Sequence, residues 1–377
     1  MTWYGKEIYS NAGGSTLWSW GYNTHGTLGQ NDRTYRSSPC QVMSSNAWTM
    51  TGSERCQTNM HKNDGTMWGW GWGGDVGALG LNHPSGTLKY SSPVQLGTDT
   101  TWVNNVGDQG GCHAVKTDGT LWTWGSGGGG MLGQNNTTQY SSPTQVGTDT
   151  NWSSGLNKFD RAGSWAAAIK TNGTLWTWGY NPSGILGQGD TTEYSSPRQV
   201  GTDTTWANVM CVYSSGIATK TDGTLWSWGY NYYGTLGHNN AHPTGTISSP
   251  KQVGTDTNWT LTTVYAAKQG QYFGIAGKTD GTFWNWGYND TGQLGHNNRT
   301  SYSSPTQIPG TWAHFCQGQQ IQTGVKTDGT LWACGYNRWG PLGQNSTTYY
   351  SSPVQIPGTN WTMVVNNGTR TFATKSS

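Results

Sequence analysis

Nucleophilic, metal-binding and acid–base chemistry would have to come from six Cys, eight His and 18 Asp and Glu in a chain of 377 residues. The cysteines, Cys40, Cys56, Cys112, Cys211, Cys316 and Cys334, form no Cys-x-x-Cys pair, so local spacing builds neither a zinc knuckle nor a redox couple. They are expected to be buried free thiols. His238 and His242 stand four apart in a segment that reads as a loop, where that spacing does not set two ligands on one helical face. No metal site is expected there, and His113 is expected to pack. Half of the acids are turn residues: Asp64, Asp118, Asp222, Asp280 and Asp328 before Gly, and Asp99, Asp149, Asp203 and Asp256 in Gly-Thr-Asp-Thr. Lys62, Lys116, Lys170, Lys220, Lys278, Lys326 and Lys375 recur just before these turns. They are expected to keep the turns soluble and to discourage edge pairing. No catalytic constellation emerges, so the chain reads as non-enzymatic, with no cofactor and no metal.

Binding is the remaining chemistry, and two sets of residues offer it. The first is a run of segments that share no consensus and hold much of the charge. It includes Glu54-Arg55, Asp108-Gln109, Lys158-Phe159-Asp160-Arg161, Lys268 to Tyr272, Gln317 to Gln320 and Asn366 to Arg370. Variable segments on a repeated scaffold are where partner contacts are sought, and Lys158, Phe159, Asp160, Arg161, Lys268, Tyr272, Gln319 and Arg370 are the candidates. The second set is aromatic: Tyr22, Trp72, Tyr180, Tyr230, Tyr288 and Tyr336 at one recurring position, with Tyr232, Tyr233 and Trp339 beside it. Aromatic rings among Asn, Gln and Thr can stack on sugars, and Trp72, Tyr233 and Trp339 are the candidates for that role.

These residues are positioned by an internal repeat. An apolar-Trp-x-Trp-Gly motif begins at Leu17, Met67, Leu121, Leu175, Leu225, Phe283 and, altered, at Leu331. Each copy runs, with close variants, Thr-Asp-Gly-Thr, then the Trp pair, then Tyr-Asn-x-x-Gly-x-Leu-Gly, Ser-Ser-Pro and a Gly-Thr segment ending in Trp, with a period of about 52 residues. Seven copies occupy 14–377 after an extension at 1–13, and the whole is expected to be one domain. The repeat uses 20 of the 24 Trp, leaving Trp3, Trp72, Trp165 and Trp339 outside it. Asp-Gly specifies two-residue hairpins, Leu-Trp-x-Trp-Gly reads as a short strand, and Pro after Ser-Ser suits a sheet edge. One such sheet cannot bury both faces, whereas seven arranged radially can. The fold class is all-β, a seven-bladed β-propeller. The segment from Trp361 to Lys375 matches the part that copy one lacks, so the N- and C-terminal strands are expected to pair and close the ring.

The Trp-x-Trp-Gly-x-Asn-x-x-Gly-x-Leu-Gly pattern with its following Ser-Pro resembles the RCC1-like repeats. The near-identical units, such as Thr221 to Asn231, look like RCC1-repeat proteins of aquatic bacteria and their viruses. That family includes a nucleotide-exchange factor for a small GTPase, a plant ultraviolet photoreceptor and a secreted β-lactamase inhibitor. The basic tail and protruding wedge of the first are missing here, as is the Gly-Trp-Arg-His-Thr motif of the second.

Charged residues make up 10% of the chain and the net charge is +2. Without a basic tail or run, nucleic acid is not an expected partner. The longest apolar run is five residues, as at Trp165–Ile169, so membrane insertion by a helix is not expected. Residues 1–7 lack the layout of a secretory leader. A polar, weakly charged protein without a leader fits a virion component, assembled in a host cell and released by lysis. The expectation is therefore a structural or decoration protein of a bacteriophage capsid or tail tip. Its partners would be other virion proteins, or a receptor or glycan on the host surface. The alternative is an extracellular or cell-surface binding propeller, lectin-like or inhibitor-like.

Overall fold

A computed structural model describes residues 15–42, 48–49, 57–83, 89–108, 110–240, 245–266 and 272–376. The extension at 1–13, Cys56, Glu54-Arg55, Gln109, His242 and Lys268 fall outside them. Seven sheets follow one another around an axis. Blades two to seven occupy 48–95, 102–145, 159–199, 206–252, 259–308 and 312–356. Blade one joins Thr16–Gly21 and Arg36–Gln41 to the C-terminal strands Trp361–Asn366 and Arg370–Lys375. The pairing runs from Thr16 opposite Lys375 to Gly21 opposite Arg370. The ring thus closes with strands from both ends of the chain, as the repeat phase required.

Blade five shows the unit. Trp206–Val212 lies innermost, followed outward by Ser215–Lys220, Leu225–Tyr230 and Thr246–Gln252, all antiparallel. The outermost strand carries Ser248-Ser249-Pro250 in a register shift, where a missing N–H costs no ladder bond. Every consensus residue has a task. The Asp222 carboxylate accepts from the Thr224 N–H and hydroxyl, and the Thr224 oxygen accepts from the Trp226 indole at 2.8 Å. Asn231, buried in the following loop, accepts from the Leu236 N–H and donates to Asn240. The second Trp of each pair is fully buried and staples neighbouring blades. Its indole N–H donates to a carbonyl of the preceding blade, as from Trp228 to Ile185 at 2.8 Å, Trp286 to Thr235 at 2.7 Å and Trp20 to Pro341 at 2.8 Å. Gly184, at φ 66°, lets the loop of blade four lie on the outermost strand of blade five. A Cβ there would sit 2.6 Å from the Ser248 Cα.

Copy seven departs from the pattern in a compensated way. Cys334 replaces the indole, and its thiol faces the Gln293 carbonyl at 3.6 Å, the same slot in blade six. Opposite it stands Gln322, where blades five and six have Gly216 and Gly274 lying under their indoles. A larger residue fills what a smaller one leaves.

Near the axis the repeats differ. In blade four the turn at 153–158 precedes a short inner strand, Phe159–Ala162. Its Asn157, at φ 53°, reaches past blade five to the carbonyls of Leu261 and Val264. In blade six, Val264–Ala266 leaves its own sheet and pairs in parallel with Trp312–Gln317 of blade seven.

A candidate binding face

The propeller has two ends with different surfaces. One carries the Asp-Gly hairpins and the Gly-Thr-Asp-Thr connections. There each repeat lysine lies over two indoles, with Lys220 Nζ 3.8 Å from the Trp226 ring centre and 4.9 Å from that of Trp206. Its ammonium also reaches Asp203 at 2.5 Å, and hydrogen bonds from Lys220 and Thr205 hold that carboxyl down at about 2. Lys116, Lys170 and Lys278 repeat the arrangement with Asp99, Asp149 and Asp256. The lysines are therefore not the free, solubilising edge charges expected from sequence. They cap the tryptophan triads by cation–π contact, which is why copy after copy retains them beside Trp.

The other end carries the inner hairpins and the Tyr-Asn-x-x-Gly loops, and aromatic residues cover it. The exposed large apolar side chains among the described residues are Tyr35, Tyr180, Tyr213 and Tyr349, each 39–44% exposed, and all four belong to this loop face. In three loops the opening aromatic packs against the ring at the fourth loop position of the preceding blade. Trp72 stacks on His25 at 5.1 Å, Tyr288 on Tyr233 at 4.3 Å, and Tyr22 meets Trp339 at 5.4 Å. Two patches result. Tyr230, Tyr232, Tyr233, Tyr272 and Tyr288 form one, in which burial and the Asp290 hydrogen bond raise the Tyr288 hydroxyl pKa. Tyr22, Tyr35 and Trp339 form the other, with Arg338 over the Trp339 ring at 5.0 Å.

A cleft of about 220 Å³ opens beside the second patch, between blades seven and one. Gln319, Gln320, Tyr336, Trp339, Asn367 and Thr369 line it, with Gly368.

The structure corrects four of the proposed contact residues. Phe159, Asp160, Arg161 and Arg370 are buried, because the variable segments are largely inner strands and their ends rather than free loops. The Asp160 carboxylate accepts from the Cys211 N–H at 2.7 Å. The Arg161 guanidinium lies on the Met131 sulfur, in the space that Gly111 leaves open. Arg370 donates to the Thr27 hydroxyl at 3.0 Å. Lys158 is half-buried and donates to the Ala207 carbonyl. Their variability records a different neighbour at each blade, not a surface. Of the remaining candidates, Gln319 and Trp339 come together at the cleft and Tyr233 and Tyr272 in the tyrosine patch, while Trp72 has one face covered by His25. Tyr35, Tyr213 and Tyr349 were not singled out in the sequence. The Tyr349-Tyr350 doublet and the hairpin tip at Tyr213 were the available signals.

The cysteines Cys112, Cys211, Cys316 and Cys334 are buried and unbridged, and Cys40 is half-buried and unbridged. Burial pushes Cys112 and Cys334 up to about 12. His238 faces the Ser227 hydroxyl at 3.1 Å and burial lowers it to about 4. Among the described residues no three His, Cys, Asp or Glu side chains gather as a metal site, and no helix is long and apolar enough to cross a membrane.

The family model of the Regulator of chromosome condensation (RCC1) repeat matches residues 15–51, 118–155, 172–214, 222–273 and 280–321. The chain belongs to the RCC1 repeat family. The ultraviolet-B receptor UVR8 of Arabidopsis thaliana is 28% identical over 310 residues, covering 78% of this chain and 66% of that protein. The E3 ubiquitin-protein ligase HERC2 of Homo sapiens is 27% identical over 200 residues, half of this chain and 4% of the ligase. This RCC1 propeller thus spans about two thirds of the first relative and a small part of the second. The crystal structure of Prp20p from Saccharomyces cerevisiae superposes with a TM-score of 0.86 at 17% identity, over 98% of this chain and 93% of that one. That likeness shows the fold.

Proposed function

We propose that this protein is a non-enzymatic recognition propeller that docks a protein partner through its loop face. The observation that carries the reading is the gathering of Tyr35, Tyr180, Tyr213 and Tyr349, all exposed, at one end. The opposite end has its repeat cations already engaged by indoles and carboxylates. Aromatic side chains are enriched in the fully desolvated centres of interfaces. The relatives point the same way: Prp20p is described with binding to Gsp1p and histones, and UVR8 is named a receptor.

Within this reading we place the protein on a virus particle, as a capsid decoration or tail-tip propeller. The support is compositional: 10% charged residues, with Asn, Thr, Ser and Gly on a rigid tryptophan core. The test is mass and stoichiometry of the protein, free and on particles isolated from its source. A fixed copy number per particle, lost when the four tyrosines are changed to Ser with the melting temperature unchanged, is the expected result. A free monomer absent from particles refutes the virion placement. Partner binding that survives the four changes refutes the face assignment.

A further inference from the structure

Beyond protein docking, we propose that the cleft between blades seven and one is a binding site for a single neutral sugar ring. The inference stands on the cleft alone and does not depend on the virion placement. Its walls are two inner hairpins locked together. A Cβ on Gly318 would lie 1.9 Å from the Asn366 side-chain oxygen, and one on Gly368, at φ 90°, would lie 2.5 Å from the Gln319 Cβ. The site is therefore largely set before a ligand arrives, which lowers the ordering cost of binding.

The lining chemistry selects the class of ligand. Gln319, Gln320, Asn367 and Thr369 offer amides and a hydroxyl, Tyr336 a phenol and Trp339 an indole surface. None of these lining side chains is ionised near neutral pH, and the neighbouring Arg338 guanidinium is engaged over the Trp339 ring, so the lining itself favours a neutral ligand. Asn367 adds the decisive feature. Its side-chain oxygen accepts from the Thr369 N–H, the Thr369 hydroxyl and the Arg370 N–H, each at 3.1 Å. Its amide nitrogen, on a side chain 3% exposed, has no hydrogen-bond partner. A buried donor without an acceptor is unfavourable, and a rotation of this amide toward a ligand hydroxyl at the cleft floor would supply one. A pyranose matches the whole set, with hydroxyls around its rim for the amides and an apolar C–H face for Trp339. The volume, about 220 Å³, is below the roughly 300–1,000 Å³ of sites for drug-sized ligands, which limits the occupant to one ring. Trp339 is also a residue the repeat does not call for. The equivalent loop positions hold His25, Val76, Gly129, Ser183, Tyr233 and Thr291.

Saturation-transfer NMR on the full chain with the methyl glycosides of glucose, galactose, mannose, N-acetylglucosamine and glucuronate tests this. At least one neutral glycoside should bind with a Kd on the order of 1–10 mM, and glucuronate should bind no better than glucose. Trp339→Ala and Gln319→Ala should each weaken binding about tenfold or more, and Asp203→Asn on the opposite end should leave it unchanged. Should Trp339→Ala fail to fold, Gln319→Ala decides. No transfer from any neutral sugar overturns the proposal. So does a preference for glucuronate, or binding that is lost in Tyr233→Ala and kept in the cleft variants. Loss of particle docking with sugar binding intact would leave this inference standing while removing the docking reading, and the reverse holds equally.

Discussion

Replacing Trp228 by Phe should be far more costly than the same change at Trp226, two residues away in the same strand. Trp228 is fully buried and its indole donates to the Ile185 carbonyl of the preceding blade at 2.8 Å. The substitution leaves that carbonyl buried and unpaired, at about 1–3 kcal/mol. The shortened ring adds a void costing about 1 kcal/mol at roughly 24 cal/mol per Å³. The expected loss is about 2–4 kcal/mol. Trp226 is half-buried and donates to the Thr224 hydroxyl at 2.8 Å, where water can take over, so its loss should be about 0.5–1.5 kcal/mol. Trp178 provides an internal control. Its acceptor, the Met131 carbonyl at 3.0 Å, also lies 3.1 Å from His113 Nε2. Trp178→Phe therefore leaves that carbonyl paired and should cost only the void, about 1 kcal/mol. Urea unfolding followed by circular dichroism reads all three midpoints. If Trp228→Phe and Trp226→Phe unfold at the same urea concentration, the inter-blade indole bond is not what holds neighbouring blades.

Restoring the seventh staple tests the same logic in reverse. Cys334→Trp alone should destabilise by about 1–3 kcal/mol through overpacking against Gln322, and adding Gln322→Gly should recover most of the loss, with non-additivity read by the double-mutant cycle. Acid should weaken the fold in two stages. Burial lowers His314 to about 3 and His238 to about 4 from 6.5. Unfolding therefore takes up protons as pH falls below 6.5, and stability drops through about pH 4 to 3. A smaller loss follows between about pH 4 and 2, where the Asp203 carboxylate, held at about 2 by Lys220 and Thr205 but one-third exposed, is protonated. A melting temperature that stays flat from pH 7 to 4 would contradict the first stage.

The architecture was legible because its determinants are local and repeated. Asp-Gly turns, the Leu-Trp-x-Trp-Gly strand and the phase of the last segment each specify geometry within a few residues, and seven repetitions leave one way to bury the indoles. The closing pair of Thr16–Gly21 and Arg370–Lys375 follows from that phase alone. The lysines were visible as a periodic set. Their contacts were not, since each lysine reaches an indole on either side, one from the strand that follows it and one from the start of the blade's inner strand, and strand pairing decides that they meet.

The site was legible only in part, for a physical reason. Variability in sequence marks both loops that meet solvent and inner strands that meet a different neighbour at every blade. Phe159, Asp160, Arg161 and Arg370 belong to the second kind, with Lys158 half-buried in the turn just before its strand, and only packing around the axis separates the two. Gln319 and Trp339 lie 20 residues apart in the chain, and Asn367 and Thr369 lie in the next copy. The sequence by itself determined the blade, the number of blades and the closure. Which aromatic rings keep an exposed face, and which amides share one cleft, was decided by how hairpins of neighbouring blades meet, an arrangement no single repeat encodes.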